Sequence, residues 1–225
     1  MKMNFSIPEN GRVKQIVEIL LSAKDRWGDA SVTKISEEYK TPFHVLVSCV
    51  LSLRTKDEVT SEASARLFEK ANTPKELLKI ARPELERLIY PVGFYRTKAK
   101  NLHSICELLI EKFGGKVPAD FDLLMSLPGV GRKTANLVLA KGFGIPAICV
   151  DTHVHRISNR LGWIDTKTPE QTEMELKKLL PKEYWIEIND LLVPFGQKIC
   201  QPVSPWCSRC DVGDLCEKRG VTRSR

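Results

Sequence analysis

Four cysteines, Cys200, Cys207, Cys210 and Cys216, stand in the spacing C-x6-C-x2-C-x5-C near the end of the chain. Four thiols in so short a stretch can converge on one tetrahedral site, and soft metals suit it: zinc, or an iron–sulfur cluster. A second stretch, Leu127-Pro128-Gly129-Val130-Gly131-Arg132-Lys133, carries different chemistry. Gly129 and Gly131 can both take positive φ and let another backbone approach. N–H groups facing outward at the start of the next helix then form an anion site, which a DNA phosphate fits without any base being read. The same turn also serves a helix–helix connection needed only for packing.

Lys133 lies in the first turn of that helix, where the helix dipole disfavours an ammonium. Partial desolvation would lower its pKa further and free the amine as a nucleophile; a solvated surface lysine is the alternative. Asp151 follows in Cys149-Val150-Asp151-Thr152-His153. An Asp just before a helix is an N-cap, yet its second oxygen can stabilise positive charge or steer protons if it faces a cleft. His153 and His155 are further acid–base candidates, ranked below Asp151.

The elements that must hold these groups read as helix after helix. Val13, Ile16, Val17, Leu20 and Leu21 form one face of a helix ending near Trp27-Gly28. Pro42 opens a helix that is apolar almost all round through Leu53, the pattern of a central buried helix. A third is expected over 57–70. Thr73-Pro74-Lys75-Glu76 starts another with an N-cap, Pro at the first position and Glu at the third. Ala99, Leu102, Ile105, Cys106, Leu109, Ile110 and Phe113 make a stripe that stops at Gly114-Gly115. Further helices are expected before Pro128, over 131–141, over 151–161, and twice between Pro169 and Val193. No segment alternates with period two, so the fold class is all-α.

Composition narrows the setting. The chain has 225 residues, enough for a core, and a formal net charge of +7 with a pI near 9.0. That favours a polyanionic partner, nucleic acid before an anionic membrane surface. No apolar run approaches the ~20 residues of a membrane-spanning helix, and no apolar h-region follows the first lysine, so neither a span nor a signal peptide is expected. Cys49, Cys106 and Cys149 lie in apolar segments and read as inert core thiols. Clustered cysteines without a disulfide pattern place the protein in a reducing cell interior.

Leu127-Pro-Gly-Val-Gly-Arg-Lys133-Thr-Ala-Asn136, then Val150-Asp151-Thr-His153, then the four-cysteine loop, resembles endonuclease III, the DNA glycosylases and AP lyases of the helix-hairpin-helix superfamily. The likeness runs from the early helix to Cys216. It implies two helical lobes, a six-helix barrel and an iron–sulfur cluster lobe, with a DNA-binding cleft between them. The barrel lobe would take 36–146, including the helix-hairpin-helix at 120–141. The cluster lobe would take 1–35 and 147–225, with a [4Fe-4S] cluster on Cys200, Cys207, Cys210 and Cys216 in the loop 200–216. Lys133 would attack C1′ of a damaged nucleotide with help from Asp151, making a bifunctional enzyme of base excision repair that removes damaged pyrimidines and cleaves 3′ to the abasic site. The partner would be double-stranded DNA with damaged bases or abasic sites, met by a monomer without a membrane. The expected location is the cytoplasm beside the nucleoid, or the nucleus or mitochondrion in a eukaryote. Gly129, Val130, Gly131, Arg132 and His153 would touch DNA.

Two places depart from the family pattern. Where the family commonly has Leu-Ser-x-Gln, this chain has Leu51-Ser52-Leu53-Arg54, so Arg54 stands where the Gln would fill the gap left by the flipped base. A donor-only fork there would favour an acceptor-rich orphan base such as guanine; contact with a phosphate is the alternative. Phe94 matches the apolar wedge position. The loop Gln201-Pro-Val-Ser-Pro-Trp206 carries no charge, so Lys198, Arg209 and Lys218-Arg219 would have to meet the DNA backbone. The rival readings are a thymine or adenine mismatch glycosylase, a non-catalytic DNA-binding module with a structural metal, and a ferredoxin-like electron carrier. Lys133 speaks against the first, and the hairpin and basic charge speak against the last.

Overall fold

The structure, a computed structural model, describes residues 9–28, 31–39 and 41–225. The expectation about a signal peptide concerns residues 1–8 and lies outside them. The described residues contain helices, short 3-10 turns and no strand. In chain order the helices are α1 (Glu9–Ala23), α2 (Ser31–Tyr39), α3 (Pro42–Ser52), α4 (Asp57–Phe68), α5 (Pro74–Lys79), α6 (Arg82–Ile89), α7 (Tyr95–Phe113), α8 (Phe121–Met125), α9 (Arg132–Phe143), α10 (Thr152–Arg160), α11 (Pro169–Leu179) and α12 (Glu187–Lys198). The fold is all-α.

Two compact units divide the chain: Ala30–Ala147, and Met1–Asp29 together with Ile148–Arg225. The boundaries fall at 29/30 and 147/148, against the expected 35/36 and 146/147.

In the first unit α3 is the axis. It is buried from Phe43 to Leu51 and packs against α2, α4, α7 and α9. Leu46 and Leu51 are fully buried, each contributing roughly 2 kcal/mol by area removed from water. Its one internal hydroxyl at a fully buried position, Ser48, donates to Ser64 Oγ at 3.3 Å, so no polar group is stranded there. Thr41 caps α3 by accepting from the His44 amide, with Pro42 at the first position.

The second unit takes both ends of the chain. Val13, Ile16, Val17 and Leu20 of α1 share a core with Val154 and Ile157 of α10 and Leu191, Leu192 and Phe195 of α12. Leu21, placed on the same face by the periodicity, is only half-buried. The last helix differs from expectation: α12 continues past Val193 to Lys198 with Pro194 inside it. An internal proline costs about 3 kcal/mol. Burial of every residue from Ile188 to Gly196 outweighs that loss.

Candidate active site and metal centre

The hairpin forms as the glycines suggest, but they do different jobs. Gly129 has φ 76°, the conformation that requires glycine, and a Cβ there would sit 2.5 Å from Asn101 Nδ2, so the Asn101 amide would also have to move aside. Gly131 does not take positive φ. It is extended, at φ −107° and ψ 177°, and a Cβ there would meet nothing within 4 Å. Its role is to be the N-cap of α9 without a side chain, which leaves the first turn with no side-chain cap. The positive helix end is thus open to an anion. Val130 turns inward and is buried. Arg132 lies over the Phe121 ring with its Cζ 4.8 Å from the centroid, which sets its guanidinium beside the hairpin.

Lys133 follows, half-buried in the first turn of α9. Burial pushes the Cys49 thiol on α3 up to about 12, and the charge of Lys133 acts against that rise. The amine therefore stands close to the unit's core. In the same unit Arg54 and Phe94 are both exposed and both left-handed, at φ 52° and 57°. The Arg54 Cζ lies 5.6 Å from the Phe94 ring centroid, and Phe94 keeps 63% of its surface. Such conformations are uncommon for residues with a Cβ and concentrate at functional sites.

Asp151 is the N-cap of α10. Its Oδ1 accepts from the amides of His153 at 2.9 Å and Val154 at 2.8 Å, so one oxygen carries the whole cap and the carboxylate is fixed in orientation. His153 is half-buried, and its Nδ1 is 3.1 Å from Arg156 Nη2. A Cβ on Gly196 would lie 2.4 Å from that same nitrogen, so α12 approaches α10 closely at His153. His155 is held by Thr172 Oγ1 at 2.7 Å.

The four cysteines line one apolar cavity, together with Leu161, Phe195, Ile199 and Trp206. Burial pushes Cys210 up to about 11 and raises Cys216. The charge of a bound cation would favour the thiolate forms against that burial. Donors suited to thiolate sulfur are present: the Lys218 amide at 3.3 Å from Cys216 Sγ, and Arg160 Nη1 at 3.5 Å from Cys200 Sγ. Among the described residues, no group of three or more His, Cys, Asp or Glu is gathered tightly enough to hold a metal ion. Four cysteine sulfurs around one apolar cavity form a soft donor set, which an iron–sulfur cluster or a thiolate-bound metal fits by its chemistry.

Sequence reasoning missed three residues. Lys98 on α7 is 5% exposed. Its place four residues before Leu102 and seven before Ile105 on the apolar stripe was the available signal. Asn101 closes on Gly129 from the same helix. Arg225 lies over the Trp206 ring at 4.1 Å, with Arg209 at 4.6 Å. The loop that lacks charge in sequence thus gains two guanidiniums through its tryptophan. Nothing local in the sequence pairs residues 206 and 225.

The profile of the HhH-GPD superfamily base excision DNA repair protein matches residues 47–182, more than half of the chain. Endonuclease III of Thermotoga maritima is 54% identical over 176 residues, covering 78% of this chain and 83% of that one. A solved endonuclease III trapped as a covalent intermediate with DNA, in an estranged-adenine complex, superposes with TM-score 0.75. It shares 43% identity over 79% of this chain and 84% of that one. A thermostable thymine-DNA glycosylase gives TM-score 0.78 over 92% of this chain and 95% of that one at 24% identity, a likeness of fold alone. Helical fold, glycine hairpin with its lysine, and sequence identity agree: the chain belongs to the endonuclease III family, within the HhH-GPD superfamily of base excision DNA repair proteins.

Proposed function

We propose that Lys133 carries the reaction of this base excision repair DNA glycosylase and AP lyase, acting as a monomer on duplex DNA with damaged pyrimidines or abasic sites. The observation that carries the reading is the position of Lys133, half-buried directly behind an uncapped glycine hairpin. A phosphate held at that hairpin would bring a sugar of the same strand to the amine. A base inside the stack is out of reach, so the nucleotide must first be extruded, at a cost of a few kcal/mol.

The neutral Lys133 amine attacks C1′, and the glycosidic C1′–N bond breaks with its electron pair leaving on the base, which is protonated. Nitrogen then loses a proton, the sugar ring opens at O4′, and a protonated imine forms between Lys133 and C1′. Removal of the now acidic C2′ proton drives the electrons towards C3′, and the C3′–O3′ bond breaks with the phosphate leaving. Water hydrolyses the imine and returns the amine. A water nucleophile in place of Lys133 could release the base but could not activate C2′ in this way. Asp151, held by two amides through Oδ1, is assigned the stabilisation of positive charge developing on the sugar.

Cys200, Cys207, Cys210 and Cys216 would hold a [4Fe-4S] cluster, which when bound ties the C-terminal loop to α10 and α12. Lone cysteines and a cluster of this kind fit a reducing compartment, the proposed location.

Borohydride reduction of the imine traps the enzyme on DNA. Wild type is expected to give a covalent adduct with a damaged duplex, and Lys133→Ala none. An adduct that persists in Lys133→Ala would assign the chemistry to another amine. No adduct from wild type, with intact base release, would favour a monofunctional mismatch glycosylase instead.

A further inference from the structure

Lys98 is taken almost wholly out of water, yet no carboxylate pairs with it among the contacts of its ammonium. Its Nζ donates to Leu51 O at 2.8 Å, Leu53 O at 2.5 Å and Thr55 Oγ1 at 3.1 Å. Leu51 and Leu53 stand at the end of α3, where helix carbonyls lack internal partners and the dipole is negative, so an ammonium is well placed. Burial pulls the Lys98 ammonium down to about 8.

These three acceptors enclose Arg54. The carbonyl before it and the hydroxyl after it are both bound to one nitrogen. The Thr55 hydroxyl reaches further: it also accepts from the Gly93 amide at 3.2 Å, just before Phe94. Gly93 lies so near the Arg54 backbone that a Cβ there would be 2.5 Å from Arg54 O. One turn into α7, the Lys98 amide donates to Phe94 O at 3.0 Å. The Lys98 side chain thus holds Arg54 through Leu53 and Thr55, and reaches the residue before Phe94 through the Thr55 hydroxyl and the Gly93 amide.

We propose that Lys98 is a positioning residue that locks Arg54 and Phe94 into one preformed wedge, set before DNA arrives. The proposal rests on the reading of Arg54 and Phe94 as the groups that enter the gap when a nucleotide is extruded. A lysine suits the task because one flexible nitrogen offers three donors, which no apolar side chain of its length can replace. Without it, the two strained residues relax towards ordinary backbone conformations and the wedge loses its shape. The extrusion step slows. The chemistry at Lys133, on another helix, does not change once a sugar is in place.

The test uses the full-length protein and two substrates under single-turnover conditions. One is a duplex with a paired damaged base, which must be extruded. The other is a single-stranded abasic oligonucleotide, which needs no extrusion. A 2-aminopurine opposite the lesion reports estrangement by its fluorescence. Lys98→Met is expected to lower duplex cleavage and the fluorescence rise by about tenfold or more, the scale of a small misplacement of a positioned group. Cleavage of the abasic single strand should stay within about twofold of wild type. Thr55→Val, which keeps the shape and removes the relay hydroxyl, should move the same readouts in the same direction, and Thr55→Ser should restore them. If Lys98→Met fails to fold, Thr55→Val and Thr55→Ser decide. Equal losses on both substrates, or wild-type extrusion in folded Lys98→Met and Thr55→Val, would overturn the latch. Arg54→Ala and Phe94→Ala separate the two levels. If neither affects the duplex, the wedge reading itself fails; if both do and the latch variants do not, only the role of Lys98 fails.

Discussion

Arg54 is a residue that its sequence position marks and its backbone explains. It stands at φ 52° with its guanidinium over the Phe94 ring, so its charge is presented on an aromatic face rather than left free in water. The planar fork donates only, and it pairs best with two acceptors in one plane. Guanine offers O6 and N7 in that arrangement. Cleavage of one lesion placed opposite each of the four bases should therefore run fastest opposite guanine, by roughly 1–3 kcal/mol of discrimination. In Arg54→Gln, whose amide both donates and accepts, that preference should flatten. Identical profiles for the two proteins would leave Arg54 only a phosphate or packing contact. The residue type at 54 could be read from the chain, but its left-handed backbone could not. Nothing about an arginine announces positive φ, and the lysine that binds the carbonyl before it and the hydroxyl after it comes from α7, far along the chain.

Helices with a strong apolar stripe or a good cap were legible: α3, α5, α7 and α9 lie where periodicity and capping chemistry put them. Two helices were not foreseen. α2 begins Ser31-Val32-Thr33, where β-branched residues weaken the helical signal. α6 buries only Leu85 and Ile89 along eight residues, too few to show a period. The hairpin before α9 is legible as a turn, yet its two glycines look alike in the sequence and have different roles in the structure. That difference can be measured. Gly129→Ala combines positive φ with a methyl 2.5 Å from Asn101 Nδ2. It should cost about 1–2 kcal/mol in chemical denaturation. Gly131→Ala enters open space from an extended backbone, so its stability should stay within about 0.5 kcal/mol of wild type. Its methyl nevertheless stands at the uncapped helix end, where the proposed phosphate would approach. DNA affinity at fixed low salt should fall about fivefold, or about 1 kcal/mol. Unchanged affinity in Gly131→Ala would mean that the α9 N-terminus receives no phosphate.

At the scale of the whole molecule, the cluster loop closes a unit assembled from both chain ends, which explains why the cysteines stand so far from Lys133 in sequence. Arg12 of α1 donates to Leu161 O at 3.3 Å, Gly162 O at 3.4 Å and Glu217 Oε1 at 2.7 Å, directly after Cys216. Arg26 pairs with Asp211 at 3.0 Å, and Trp27 packs on Phe195 with centroids 5.0 Å apart. Arg160 of α10 donates to Gln201 O and Pro202 O, both at 2.7 Å, inside the loop. If metal bridges the four thiols, it braces every one of these contacts. If it is removed, four thiols remain in an apolar cavity that they do not fill, and the loop loses its only covalent closure. Amide exchange on the purified protein, before and after stripping iron with an oxidant and chelator, tests this. Protection over 200–219, the start of α1 and the end of α10 should fall by at least about tenfold, near 1.4 kcal/mol of local stability. Peptides from α3, α7 and α9, in the other compact unit, should keep theirs. Equal loss across both units would show that the metal supports the molecule globally. No loss anywhere would show that the loop folds without it, and a protein carrying zinc rather than iron and sulfide would refute the cluster assignment itself.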